Sequence, residues 1–397
     1  MNKRLANEKI LIFGRWTSKI GNVIFDYANS CLLVKMFTDK PVILGIYQGS
    51  ERVALFIFNL IGGAISDGSN KKKILILTDL LSAVICFVSS IFVELKMVAV
   101  ALILANIILA IISSFNGPTY KSIVRELIHK DNINTYNSIS NAGNEAIMVI
   151  GPTIGLFLVN IIGIKGALLF DGITFLVSGI SEAYLVTIEE CSCSEKTKES
   201  SLWERIFEGV RYLFNERQIL GLIIISSFVN FFLAGYNLLV PYTNVMYIGV
   251  LSDFYSKVLV IEAIGGIIGS LINSKLSSHI HESKKFLKIF LFMIGIFLFF
   301  IPIVSYTENI IICLVPFLLC SCTMTIFNIQ FMTYIQINVE HEYLGRVFSV
   351  INAAAGVLMP LGSFMFSLVI KTNAISSFYL IAIGIFVLAV INLFVTK

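Results

Sequence analysis

Six charged residues fall at least seven positions from either end of the long apolar stretches of this 397-residue chain: Lys19, Asp26, Glu51, Arg52, Glu145 and Glu262. A charge left facing hydrocarbon costs about 3 kcal/mol or more on insertion scales, so each is expected to face a cavity or a partner. Buried ion pairing is the plain alternative for any one of them, with Arg52 or Lys19 neutralising Asp26 or Glu145. Four acids set against two bases leave at least one carboxylate without a permanent basic partner. Such a carboxylate can take up and release a proton as its surroundings change. The expected chemistry is therefore proton binding coupled to another event, with Asp26 the leading group, Glu145 and Glu262 next, and Glu51 and Arg52 beside them. Asn22, Tyr27 and Tyr47, with Asn230, Tyr236 and Asn237, are the residues expected to line an amphipathic cavity.

The elements that must carry these residues are transmembrane helices. Apolar residues make up 57% of the chain, mean hydropathy is +0.87, and only 29 Lys/Arg and 25 Asp/Glu serve the whole molecule. Twelve apolar runs are predicted as spans: 10–36, 41–66, 74–93, 97–117, 138–162, 166–188, 218–240, 254–276, 285–305, 309–334, 345–370 and 374–396. They are continuous rather than alternating, which excludes a transmembrane barrel and gives an all-α integral membrane fold. The longest polar stretch, 189–217, divides the chain into two six-helix bundles, 1–188 and 218–397. Its second half places Trp203, Ile206, Phe207, Val210, Leu213 and Phe214 at helical spacing, an amphipathic helix for the cytoplasmic interface. Twenty of the Lys/Arg fall on the side that holds both termini and five on the other, so the termini are expected in the cytoplasm of a multi-pass cell-membrane protein. The first span carries Arg15, Lys19 and Asp26 and is expected to be retained rather than cleaved.

Two motifs stand out from the spans. Gly63, Asp67, Lys71, Lys72 and Lys73 form a tight basic turn between helices two and three, followed by Asp79. A merely basic topogenic turn explains the lysines but neither Gly63 nor Asp67. Gly151, Pro152 and Gly155 put a helix breaker between glycines in helix five and predict a kink there, a packing bend being the bland alternative. A weak repeat at an offset near 212 residues pairs Phe115-Asn116 with Phe327-Asn328 and Thr119-Tyr120 with Thr333-Tyr334. No P-loop, nucleophile elbow, Gly-rich dinucleotide turn or metal-ligand cluster is present, so no enzyme activity, cofactor or metal is expected. Cys191 and Cys193, in the central loop, are expected to be reduced spectators. His279 and His281 are expected to decorate a solvated basic loop. The weakly basic balance of +4 marks topology and points to no nucleic acid.

Together these motifs resemble the major facilitator superfamily, and within it the macrolide-efflux-like exporters. The loop signature is matched at Gly63, Asp67 and Lys71–Lys73, and the fifth-helix signature at Gly151, Pro152 and Gly155. Further similar segments run from Phe170 to Phe175, Glu208 to Tyr212 and Glu342 to Ser349. The resemblance covers essentially the whole chain. It implies two pseudo-symmetric bundles around a central cavity, rocking-type alternating access, and a secondary active efflux transporter for an amphipathic drug-like or macrolide-like molecule, working as a monomer in the lipid bilayer with protons as the exchanged ion. An exporter of a siderophore, peptide or lysophospholipid is the nearest alternative, and a non-transporting membrane sensor or assembly factor the alternative of another class. The chain departs from the family pattern at Gly68 and Asn70, which thins the charge relay of the loop. A latch is therefore expected in which Asp67 meets the amino end of helix eleven near Gly345 and Arg346.

Overall fold

A computed structural model describes residues 2–68, 70–93, 98–128, 132–186, 202–247, 253–276, 283–307, 309–340, 343–371 and 374–395. All regular structure among them is helical. The chain runs through α1 (Asn2–Met36), α2 (Pro41–Gly68), α3 (Lys71–Phe92), α4 (Val98–Leu127), α5 (Ile133–Ala183), α6 (Leu202–Asn215), α7 (Arg217–Leu239), the short α8 (Thr243–Met246), α9 (Phe254–Leu276), α10 (Ser283–Val304), α11 (Ile310–Asn338), α12 (Leu344–Val369) and α13 (Ser377–Val395).

The 51 residues of α5 would reach ~77 Å as one straight helix, far more than a hydrocarbon core of ~30 Å. Its backbone leaves helical values at Gly163 (φ 69°, ψ 178°), a conformation open to a residue without Cβ. The limbs 133–162 and 164–183 are the predicted helices five and six. Eight described helices are long and apolar enough to cross a membrane when α5 is counted once. The second limb of α5, the charged α1 and α2, and α13 bring the spans to the expected twelve. Their bounds differ from expectation where polar ends stay helical: α1 begins at Asn2, and α4 continues through Pro118 to Leu127.

The described contacts gather into two compact units, residues 1–36 with 50–198, and 37–49 with 199–397. The sequence reading assigned all of helix two to the first bundle, whereas its first turns belong to the second unit. The reason is a glycine seat: a Cβ on Gly45 would stand 2.5 Å from Ser367 Cβ and 2.9 Å from the Ser363 carbonyl.

In the first unit α1 packs chiefly on α5, and α3 on α5 and α4. A core of Leu11, Leu75, Tyr120, Ile123, Val124 and Leu127 closes one end, and Ile24, Ala28 and Ala167 fill a second cluster. In the second unit α9 and α10 pack on α11, α7 on α12 and α13, and α6 on α12. Gly265 and Gly269 let α9 approach the α11 backbone, where a Cβ would stand 2.5 Å from the Leu318 and Cys322 carbonyls. The α6 helix turns Leu213 inward, while Phe207 and Phe214 of the same apolar face are exposed. Tyr212 stacks on Tyr343 with ring centroids 4.4 Å apart, and Arg346 Nε meets Glu208 Oε2 at 2.8 Å, fastening α6 to the start of α12.

The loop cysteines Cys191 and Cys193, the histidines His279 and His281, the surroundings of Gly63, and the side chains of Asp67, Trp203 and Ile206 lie outside what the structure describes. Cys31, Cys86, Cys313, Cys320 and Cys322 form no disulfide.

Candidate functional site

The site of the first unit is built on a close packing of α1 against α5. Gly143, Gly151 and Gly155 of α5 face Trp16, Val23 and Tyr27 of α1; an added Cβ would lie 2.0, 2.5 and 3.1 Å from those side chains. Glycines at these positions let bulky α1 side chains seat on the α5 backbone. The helix runs on through Pro152, and the non-helical backbone lies at Gly163 instead. Gly151 and Gly155 serve packing against α1, and the chain reverses at Gly163, where no side chain obstructs a positive φ.

The α1 face so positioned carries Lys19 and, two turns on, Asp26. Asp26 lies deep along the helix and keeps exposed surface, while protein atoms crowd around its carboxyl. Glu51, Lys19 and Asp171 bear on it electrostatically. Glu51 accepts a hydrogen bond from Asn106 Nδ2 at 3.3 Å and has Arg52 beside it. Three acids therefore meet two bases. Glu145 is exposed on α5 and is not among the groups bearing on Asp26.

Asp171 completes this group and was missed as a deep charge. It lies five residues into the predicted sixth span, too close to the predicted end to be counted, yet it is wholly buried. Cys86 Sγ donates to its Oδ2 at 3.2 Å, and Thr174 Oγ1 lies 3.3 Å from its Oδ1. Gly21 makes the arrangement possible, because a Cβ there would meet Thr174 Oγ1 at 2.0 Å and Asp171 Oδ1 at 2.1 Å. Asp79 and Glu182 are buried as well. The sequence reading attached Asp79 to the basic turn and passed over Glu182. Asn116 Nδ2 donates to Asp79 Oδ1 at 3.1 Å and to Thr78 Oγ1 at 2.9 Å.

In the second unit Glu262 of α9 is half-buried and accepts a hydrogen bond from the Tyr236 hydroxyl, while Ser321 Oγ donates to the Glu262 carbonyl at 2.5 Å. Tyr27, Tyr47 and Tyr236, expected on a cavity wall, are 2%, 2% and 4% exposed. Tyr27 is seated against Gly155, and Tyr236 is packed between Phe317 and Phe378 with its hydroxyl committed to Glu262. Asn22, Asn230 and Asn237 are half-buried and keep accessible surface.

At the start of α3, Asn70 caps the helix by accepting from Lys73 N at 3.1 Å. Lys71 pairs with Glu126, and Lys72 Nζ donates to the Leu185 carbonyl at 2.7 Å. The basic turn is thereby tied to its own unit. Arg346, the expected far side of the latch, is held by Glu208 and lies over the Tyr343 ring. Among the described residues no group of three or more His, Cys, Asp or Glu is placed to hold a metal ion.

The sequence model of the Major Facilitator Superfamily matches residues 42–363. An MFS-type transporter, YkuC of Bacillus subtilis, is 23% identical over 321 residues, covering 75% of this chain and 70% of its own length. Macrolide efflux protein A of Streptococcus pyogenes is 19% identical over 393 residues, covering 96% of this chain and 94% of its own. Among solved structures, the nucleoside transporter NupG superposes with a TM-score of 0.81 at 13% identity over 98% of this chain and 100% of its own. A bacterial homologue of the iron transporter ferroportin, in an inward-facing state, gives 0.76 at 14% identity over 99% of each chain. At these identities the likeness to solved structures establishes the fold.

Proposed function

Because the chain belongs to the Major Facilitator Superfamily and is a multi-pass membrane transporter, we propose that it is a secondary active exporter of an amphipathic small molecule, exchanged for protons by alternating access. The observation that carries this reading is Asp26, a carboxylate deep in α1 with Glu51, Asp171 and Lys19 around it. A proton on Asp26 offsets the excess of acid, and its departure leaves a negative charge that the next proton or a cationic substrate group neutralises. Glu51, Arg52, Glu145 and Glu262 are the further coupling candidates. Asn22, Asn230 and Asn237 are the candidates for contact with substrate. The relatives named for macrolide efflux support an exported drug-like or macrolide-like substrate. The turn at Gly63, Asp67 and Lys71–Lys73 acts as the conformational latch. The protein works as a monomer in the cell membrane with both termini in the cytoplasm.

The test uses inside-out membrane vesicles, a labelled macrolide and an imposed proton gradient. Uptake is expected to collapse when an uncoupler abolishes the gradient and when Asp26→Asn is introduced, with the variant still inserted in the membrane. Uptake that persists unchanged without the gradient sinks the coupling. A chain that moves no amphipathic compound and tolerates neutralisation of every deep carboxylate is a sensor or assembly factor instead. Asp67→Asn is expected to slow uptake without reducing insertion.

A further inference from the structure

The described side chains hold a second acidic pair, roughly 16 Å from Asp26 along α1 if measured from Arg15 at its centre. Asp79 on α3 is 4% exposed and Glu182, in the last turn of α5, is 3% exposed. Asp79 bears on Glu182 electrostatically, and Arg15 of α1 bears on both. The enclosure is close. A Cβ on Gly14 would stand 3.1 Å from Ser181 Oγ and 3.2 Å from Ser178 Oγ, and one on Gly179 would stand 3.3 Å from Asp79 Cβ.

The surrounding groups account for one carboxylate and not for the other. Asp79 has the amide of Asn116 and the hydroxyl of Ser178. Glu182 Oε2 is buried with no hydrogen-bond partner among the described residues. From α1 the facing charge is Arg15, whose guanidinium lies 4.9 Å from the Tyr120 ring centre. From α4 come Asn116 and Tyr120, and from α5 Tyr136, which shares a hydrogen bond with Tyr120. Glu8 bears on Tyr136 rather than on the pair. Lys72 of α3 is bonded to the Leu185 carbonyl.

Two buried carboxylates against one guanidinium leave one negative charge unbalanced, and a buried acceptor without a donor adds to the penalty. One proton corrects both, because it neutralises a carboxylate and turns an acceptor-only group into a donor. A metal cation fits worse, since it needs several oxygen ligands and no cluster of three acidic, Cys or His side chains is present among the described residues. We propose that Asp79 and Glu182 share a single proton over Arg15, making the junction of α1, α3 and α5 a proton-binding site separate from the Asp26 group. The site stands whether or not export is proton-driven, because its occupancy is a property of the resting protein.

The test reads the proton itself. The carbonyl-stretch band of protonated carboxylic acids is recorded by infrared spectroscopy on the purified full-length protein in lipid nanodiscs at neutral pH. Wild type is expected to show the band, and Glu182→Gln and Asp79→Asn are each expected to lose the same one-carboxyl share of it. The double variant is expected to lose no more than either single one, since one proton serves the pair, whereas Asp26→Asn retains that share. Arg15→Gln is expected to gain one share. Absence of the band in wild type overturns the proposal without any variant. It is equally overturned if the single substitutions leave the band intact or the double variant loses twice as much. Either single variant decides the matter should the other fail to insert. Loss of proton-driven uptake with this pattern intact refutes the export reading alone.

Discussion

Gly21 offers the most exacting test of how the first unit is assembled. In Gly21→Ala the new Cβ would lie 2.0 Å from Thr174 Oγ1, 2.1 Å from Asp171 Oδ1 and 3.1 Å from Thr174 Cβ. Neither neighbour can swing aside, because Asp171 is wholly buried and Thr174 is 5% exposed. The two helices must part, or the carboxylate must leave Cys86 and Thr174. Overpacking of a close core costs typically 1–3 kcal/mol, and the severity of this overlap puts the net cost at about 3 kcal/mol even after the ~0.5–1 kcal/mol that Ala gains over Gly in a helix. For a unit of this size that corresponds to a fall in Tm of roughly 6–12 °C. The control is Gly266→Ala, where the nearest atom to the new Cβ is Thr325 Oγ1 at 3.5 Å, an ordinary contact. It is expected to leave Tm unchanged or raise it by a few degrees. Thermal unfolding of both detergent-purified variants, followed by tryptophan fluorescence and by monodispersity on size exclusion, makes the comparison. If Gly21→Ala melts with the control, α1 and the second limb of α5 do not meet at Gly21 and the burial of Asp171 is wrongly explained.

Tyr236→Phe removes the hydroxyl that donates to Glu262 and is expected to cost about 1–3 kcal/mol, read as a fall in Tm that Glu262→Gln does not reproduce additively in the double variant. Glu208→Gln breaks the pair with Arg346, but those side chains are 48% and 29% exposed. Screening limits its worth to about 0.2–1 kcal/mol, so Tm should hardly move, whereas Tyr343→Ala should raise proteolysis at α6; the reverse order would show that charge rather than ring stacking fastens this helix. Gly163→Ala meets no atom within 4 Å yet must adopt φ 69° and ψ 178°, and is expected to cost about 1–3 kcal/mol; a Tm equal to wild type would falsify the assigned backbone.

The spans and the helical class were legible because apolar run length is a one-dimensional signal that needs no knowledge of neighbours. The mistakes arose where a neighbour decides. Distance from a predicted span end served as the measure of depth, and it discarded Asp79, Asp171 and Glu182, whose burial comes from glycines on another helix: Gly179, Gly21 and Gly14. Glycine reports close approach in the sequence but not the partner. Residue type alone does not say what a tyrosine ring touches: Tyr27 lies against Gly155 and Tyr236 against Phe317. The internal repeat was half informative. Asn116 bonds Asp79 as a polar anchor, but its counterpart Asn328 is exposed, and Gln330 takes the anchoring part by donating to Asn273 at 2.7 Å. A dipeptide match carries register only to within about half a helical turn.

The reversal at Gly163 bears on how the chain is made. The 42 residues from Ala142 to Ala183 form one apolar stretch with no hydrophilic loop in it. Lys165, exposed two residues after the turn, is the lone charge near the tip. During synthesis the two spans are thus separated by little more than this one charge, which favours their entry into the bilayer as a paired hairpin. An epitope tag or a lengthened linker at this tip is expected to uncouple the two limbs and to lower the yield of inserted protein.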